Sequence, residues 1–270
     1  MSFQGFLNSR AMDRSKALAA LSALALSTLP AHAQQKKREI KVSHAQQATL
    51  VFASDYLNSP SSMFGHTFLR LDAPGQTEDT RLLAYAVNYA AQADAKNPFS
   101  FAYKGLTGGY PGLFSLMPYY EKVKEYSDME NRDLWEYQLN LAPEEVGRLL
   151  SHLWELRSVE FPYYFLTRNC SFQLLALIEV ARPGVNLRKD FPVQAIPTDT
   201  VRRTLEEPGM LRELTYRPAA ERQLLMAARH FPARVNRTAI KLASSPDLDT
   251  GLSEPEQAAA LETAFDYSYY

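Results

Sequence analysis

A single cysteine, Cys170, in a chain that opens with an export signal limits the fold more than any other feature of this sequence. Arg10, Arg14 and Lys16 precede an apolar run from Ala17 to Leu29 that is too short to cross a bilayer as a helix, and Pro30 then leads into Ala31-His32-Ala33. This is the pattern of a signal peptide cut before Gln34, with Met12 an alternative start that leaves a shorter basic segment. An exported domain stapled by disulfides needs paired cysteines. This one must instead hold itself together by burying apolar surface, and 270 residues of which 46% are hydrophobic can build such a core. A lone thiol in an oxidising compartment is a liability unless it is buried or used.

The formal net charge of −1 creates no global field favouring nucleic acid or an anionic bilayer, so no nucleic-acid partner is expected. After the signal no apolar stretch is long enough to span a membrane as a helix, and the exported chain is expected to be soluble or peripheral. Ala48 to Ala53 has the length and β-branched content of a buried strand. A turn cluster, Asn58 to Ser62, separates it from Gly65-His66-Thr67-Phe68-Leu69-Arg70-Leu71-Asp72, where His66, Phe68 and Arg70 face one way and Thr67, Leu69 and Leu71 the other. With Leu82 to Tyr89 these segments form an antiparallel meander. Pro98 to Tyr120, rich in Gly, Pro and aromatics, reads as a shaped loop with an apolar lip at Leu113, Phe114, Leu116 and Met117. Its glycines are wrongly spaced for a phosphate-binding loop. Leu134 to Leu141 alternates as a further strand.

Pro143, followed by Glu144 and Glu145, opens an amphipathic helix through Trp154. A second helix starts at Asn169-Cys170-Ser171 and ends at Arg182-Pro183. Three helical stretches, Thr200 to Glu213, Ala219 to His230 and Glu254 to Phe265, fill the remainder. The expected division is a signal at 1–33, an α+β catalytic domain at 34–200 and a helical extension at 201–270.

Cys170 directly follows Asn169, a good helix cap, so unpaired N–H groups and the helix dipole favour its thiolate. The competing reading is a small buried hydrophobe. Of the histidines beyond the signal, His152 and His230 fall on helices and His44 in a polar segment, whereas His66 begins a strand where an imidazole can lean over a sheet end. A structural strand histidine is its alternative. No H-x-x-x-H or C-x-x-C spacing supplies the ligands of a catalytic zinc, and no metal or cofactor is expected.

The stretch Ser62-Met63-Phe64-Gly65-His66-Thr67-Phe68-Leu69-Arg70, followed about a hundred residues later by Tyr163-Tyr164-Phe165-Leu166-Thr167-Arg168-Asn169-Cys170-Ser171, resembles the periplasmic domain of the Lnb-type bacterial lipoprotein N-acyltransferases. Asn88-Tyr89, the Gly108-Gly109-Tyr110 loop and Arg132 to Tyr137 resemble it too, and the likeness runs over about residues 48 to 200. The resemblance implies an α+β, circularly permuted papain-like fold of the NlpC type: an antiparallel sheet with the histidine strand first and a packed nucleophile helix later, plus the helical extension. It assigns His66 as general base and Cys170 as acyl-accepting nucleophile. Asn88 is the first candidate to orient the imidazole, against a plain strand-end residue, and Tyr164 the second.

The chemistry implied is transfer of an acyl chain from a phospholipid through a Cys170 thioester to an amine, that of a lipoprotein, in the periplasm and with peripheral membrane contact. Backbone N–H groups at the helix start, Cys170's included, would hold the oxyanion. Hydrolysis by the same dyad (amidase, peptidase or phospholipase) is the nearest alternative, and a non-catalytic envelope binding module the other. The sequence departs from an enzyme of bilayer substrates in having no membrane span and no basic amphipathic helix, and a membrane-associating part beyond Tyr270 is expected.

Overall fold

The period-two segments of the first half lie in a sheet of seven antiparallel strands in the computed structural model, which describes residues 44–55, 63–93 and 97–269. The expected export signal and the Asn58 to Ser62 turn cluster lie outside those residues. The strands are β1 (Gln47–Ala53), β2 (His66–Asp72), β3 (Tyr85–Ala91), β4 (Tyr110–Pro118), β5 (Leu134–Leu139), β6 (Phe161–Tyr163) and β7 (Leu211–Arg217), ordered β6-β4-β3-β2-β1-β5-β7. The helices are α1 (Pro98–Thr107), α2 (Tyr119–Val123, continued by a π turn, Lys124–Met129), α3 (Pro143–Leu156), α4 (Cys170–Ala181), α5 (Pro197–Glu206), α6 (Ala220–Ala228), α7 (Ala233–Ser244) and α8 (Glu254–Tyr269). Among the described residues no helix is long and apolar enough to cross a membrane.

The expected meander is β1-β2-β3, with Leu50 opposite Leu69 and Leu69 opposite Val87. Because side chains alternate, the two faces of β2 bury different neighbours. Leu69 and Leu71 join Leu50, Val87, Leu174, Leu175, Leu177 and Ile178 in the main core, while Phe68 packs with Val51, Ala86, Tyr119 and Tyr126 on the opposite face. Helix α4 is apolar almost all round, as a helix sunk in a core must be: Leu174, Leu175, Leu177, Ile178 and Ala181 are all buried. Each such leucine removed from water contributes about 1.5–3 kcal/mol. Pro143 opens α3 and the last helical residue of α4 is Ala181, as expected.

The face opposite α4 holds a closed set of buried charges. Arg70 donates through Nε to Asp72 Oδ1 (2.8 Å) and pairs with Glu136 on β5. Glu136 also accepts from Tyr119 Oη (2.6 Å) and from Arg217 Nε of β7 (3.2 Å). Burial alone would raise the Glu136 carboxyl, yet Arg70, Tyr119 and Arg217 together hold it below its ordinary value.

Several sequence expectations are corrected here. Pro98 to Tyr120 is no loop: it forms α1, capped by Asn97, and then β4. The apolar lip is sheet core, Phe114 packing on Tyr89 at 4.9 Å between ring centroids, Leu116 against the main core and Met117 against the other face. The stretch from Thr200 to Glu213 is not one helix: α5 ends at Glu206 and β7 follows, pairing with β5 (Leu134 opposite Arg217, Trp135 opposite Tyr216). Ala233–Ser244 is a helix that the sequence reading left out. The boundary expected at 200/201 falls inside α5, and the residues after it complete the sheet before α6, α7 and α8 form the helical C-terminal part. The α+β class stands, with the antiparallel sheet, the packed cysteine helix and the histidine strand preceding it in the chain.

Candidate active site

Gly65 adopts φ +88°, and a Cβ there would stand 2.3 Å from the Phe52 ring, so only glycine lets the chain turn tightly into β2. That turn delivers His66 at the very start of the strand, its ring stacked on Phe68 (6.4 Å) and tilted against Tyr126 (5.8 Å). Val87 lies opposite Leu69, so Asn88 shares a face with His66 on the neighbouring strand. Its Oδ1 accepts from His66 Nε2 at 2.7 Å. An amide oxygen can only accept, so Nε2 carries a proton and Nδ1 is the nitrogen left to exchange one.

Cys170 comes from the other side of the core as the first residue of α4. Asn169 caps the helix, with φ −94° and its side-chain oxygen accepting from Phe172 N–H (3.3 Å) and Ser171 Oγ (2.8 Å). The Asn169 amide nitrogen is tied to the carbonyls of Phe165 (3.0 Å) and Ala195 (2.7 Å), which fixes where the helix begins. The thiol is 2% exposed. Burial pushes it up, but the charge and hydrogen bond of His66, with Thr67 N–H and Oγ1 (3.9 Å), outweigh that and bring it down from 9.0 to about 6. Beside His66, the sulfur is thus a thiolate at neutral pH.

Of the four residues singled out in the sequence, His66, Asn88 and Cys170 come together, although 104 positions separate His66 from Cys170 (170 minus 66). Tyr164 does not join them: it follows the end of β6, and its ring lies over the Gly108 turn. The tyrosine beside the sulfur is its neighbour Tyr163, which β6 turns inward. Its Oη receives the Cys170 N–H at 3.2 Å. Burial and the nearby Cys170 hold the Tyr163 phenol well above its ordinary value, so it stays protonated as a donor. Tyr163 stacks on Tyr89 (5.5 Å), and the pair closes over Gly112, where a Cβ would meet Tyr89 Oη at 2.3 Å. The Cys170 N–H expected to hold an oxyanion is therefore already donated to Tyr163 Oη, and a carbonyl oxygen arriving there would have to take that N–H over, with Tyr163 O–H as a second donor.

A cavity of about 180 Å³ opens beside this group, lined by His66, Asn88, Tyr126, Tyr163, Phe101 and Phe165 among others. The other described histidines lie apart: His152 pairs with Glu155 on α3 (3.1 Å), and His44 and His230 are exposed. Among the described residues no three His, Cys, Asp or Glu side chains could together hold a metal ion.

Comparison with protein families finds two matches: the Lnb N-terminal periplasmic domain over residues 34–207, and a domain of unknown function, DUF7842, over residues 214–270. No curated protein matches. Among solved structures the chain is similar to the type VI secretion system effector TseH, at 15% identity over 64% of this chain and 98% of that one, with a TM-score of 0.39. The first match takes in every strand but β7 and every residue of the His66–Cys170 group, and supports a cysteine-dependent enzyme of the periplasm. It spans well over half of the sequence, and the chain belongs to the Lnb N-terminal periplasmic domain family.

Proposed function

We propose that this chain transfers an acyl group through Cys170, with His66 as base, Asn88 as the residue that orients it and Tyr163 as an oxyanion donor. The observation that carries the reading is the thiol brought to about 6 at a capped helix start by an imidazole whose other nitrogen is bonded to Asn88. The thiolate attacks an ester carbonyl, forming an S–C bond while the carbonyl electron pair moves to oxygen, held by Tyr163 O–H and Cys170 N–H. Collapse expels the alkoxide, which takes the His66 proton and leaves as an alcohol. An amine then attacks the thioester, gives its proton to His66 and releases the thiolate.

Transfer rather than hydrolysis is supported by seclusion: Cys170 is 2% and His66 7% exposed, so a thioester would meet little water. The resemblance to lipoprotein N-acyltransferases supplies the substrate classes, a phospholipid as donor and the N-terminal amine of a lipoprotein as acceptor, met by peripheral contact with the membrane. Intact-protein mass spectrometry after incubation with phospholipid vesicles tests it. The expected result is one acyl mass on the protein, absent from Cys170→Ala and discharged by a lipopeptide amine. Fatty acid released equally fast with and without the amine would make the chain a hydrolase. An unmodified wild type, with an iodoacetamide rate unaffected by His66→Ala, would make it a binding module.

A further inference from the structure

Two charges that the acyl chemistry does not use share the cavity with His66. Lys122, at the end of α2, is 5% exposed, and its Nζ donates to Glu125 Oε2 at 2.8 Å and to Tyr126 Oη at 3.2 Å. The ammonium also lies 4.8 Å from the centre of the Tyr126 ring, the ring that packs against His66. Keeping an ammonium this deep is costly unless its charge is matched, and one partly exposed carboxylate matches it only in part. An ammonium has three N–H donors, and these two bonds leave a third for a ligand oxygen. Among the described residues that line the cavity, Lys122 is the one Lys or Arg and Glu125 the one carboxylate.

We infer that Lys122 and Glu125 form a head-group subsite for a zwitterionic phosphodiester, Lys122 taking a phosphate oxygen and Glu125 the ammonium beyond it. A full positive and a full negative charge held side by side are complementary to a ligand that carries both and has no net charge. A lone lysine is a point charge suited to phosphate, whereas a planar carboxylate is better matched by an arginine fork, which this lining lacks. The volume agrees: about 180 Å³ is below the roughly 300 Å³ at which drug-sized ligands begin to fit, so it admits a head group and leaves an acyl chain to lie elsewhere. This subsite rests on the ester-donor reading above, since it names the alcohol side of that donor.

Binding to full-length Cys170→Ala separates the two, because it needs no turnover. Glycerophosphoethanolamine, glycerophosphoglycerol and the carboxylate zwitterion glycylglycine are titrated by calorimetry. Glycerophosphoethanolamine should bind at least about tenfold more tightly than the other two. Adding Lys122→Met, which keeps the buried stem, should weaken it at least about tenfold, and Glu125→Gln should remove its advantage over glycerophosphoglycerol. Should Lys122→Met fail to fold, Glu125→Gln at a half-exposed position carries the test alone. Equal binding of all three compounds, or a Lys122→Met variant that loses thermal stability but binds unchanged, overturns the subsite. Head-group binding without any acyl adduct on the wild type would sink the acyl reading and leave the subsite standing.

Discussion

Opposing influences meet at the Cys170 sulfur: burial, which disfavours the thiolate, and the His66 and Thr67 contacts, which favour it more strongly. The alkylation rate with iodoacetamide should therefore rise through about pH 6 in the wild type. In His66→Ala the rise should move up toward or past 9, and the rate at pH 7 should fall at least about tenfold, read by loss of free thiol. The folded thiol lies below its unfolded value, so its contribution to stability is complete above pH 9 and disappears as pH falls through 6. Denaturant midpoints of wild type and Cys170→Ser should accordingly diverge between those limits. In the proposed mechanism Asn88 acts through the imidazole. Asn88→Ala should lower kcat by the order of 10²-fold, and Asn88→Asp, which keeps the acceptor oxygen, should recover most of it while shifting the acid limb of the pH profile upward. A profile identical in shape for both variants would reduce Asn88 to packing.

The placements of Cys170 and His66 were legible as local signals, a cap before an apolar run and a glycine before a strand histidine, whereas their joint role and the choice of Asn88 came with the family resemblance. Tyr163 was not, because β6 is three residues long and its alternation is too short to tell which of Tyr163 and Tyr164 points inward.

At the scale of elements, the Gly65 turn and the Arg70–Glu136 network decide where β2 lies. Gly65→Ala forces a side chain into the left-handed region and into Phe52, so stability should drop by about 1–3 kcal/mol in urea titration and the slow alkylation of His66→Ala should reappear. Glu136→Ala leaves the Arg70 guanidinium buried without its β5 partner and should cost about 3–5 kcal/mol. Since the Glu136 carboxyl is held below its ordinary 4.5, its contribution is complete above that pH and is lost as pH falls through the lower, folded value. The wild type should thus lose stability in acid more steeply than Glu136→Ala, a difference thermal melts at pH 3 and 6 would show. The first three residues of β7 were read as the end of a helix, because the strand is mostly exposed and no alternation marks it. Helix α1 was masked by the glycines of the turn that follows it.

Across the whole molecule, the C-terminal residues do two different jobs. Strand β7 covers the edge of β5, and α6 is tied back by Ala219 N–H to Asp133 Oδ1 (2.8 Å). Helices α7 and α8 instead close on each other around Val235, Ala239, Leu242, Ala260 and Ala264. A chain ended after His230 should keep the depressed thiol and a cooperative melt. One ended after Glu207 should aggregate on gel filtration, because it bares a strand edge and strips Arg217 from Glu136. This arrangement was only half visible beforehand: α6 and α8 announce themselves by their own spacing and α7 did not, while which strand the segment before them shelters depends on pairing between distant segments.

The distance along the polymer between imidazole and sulfur has its own bearing on the life of the chain. A nascent polypeptide holds them more than a hundred residues apart, and its sulfur then behaves as an ordinary thiol, only about a few per cent ionised near neutrality. Reactivity switches on when sheet and helix dock, which makes the folded domain the first form of this chain to carry an activated sulfur.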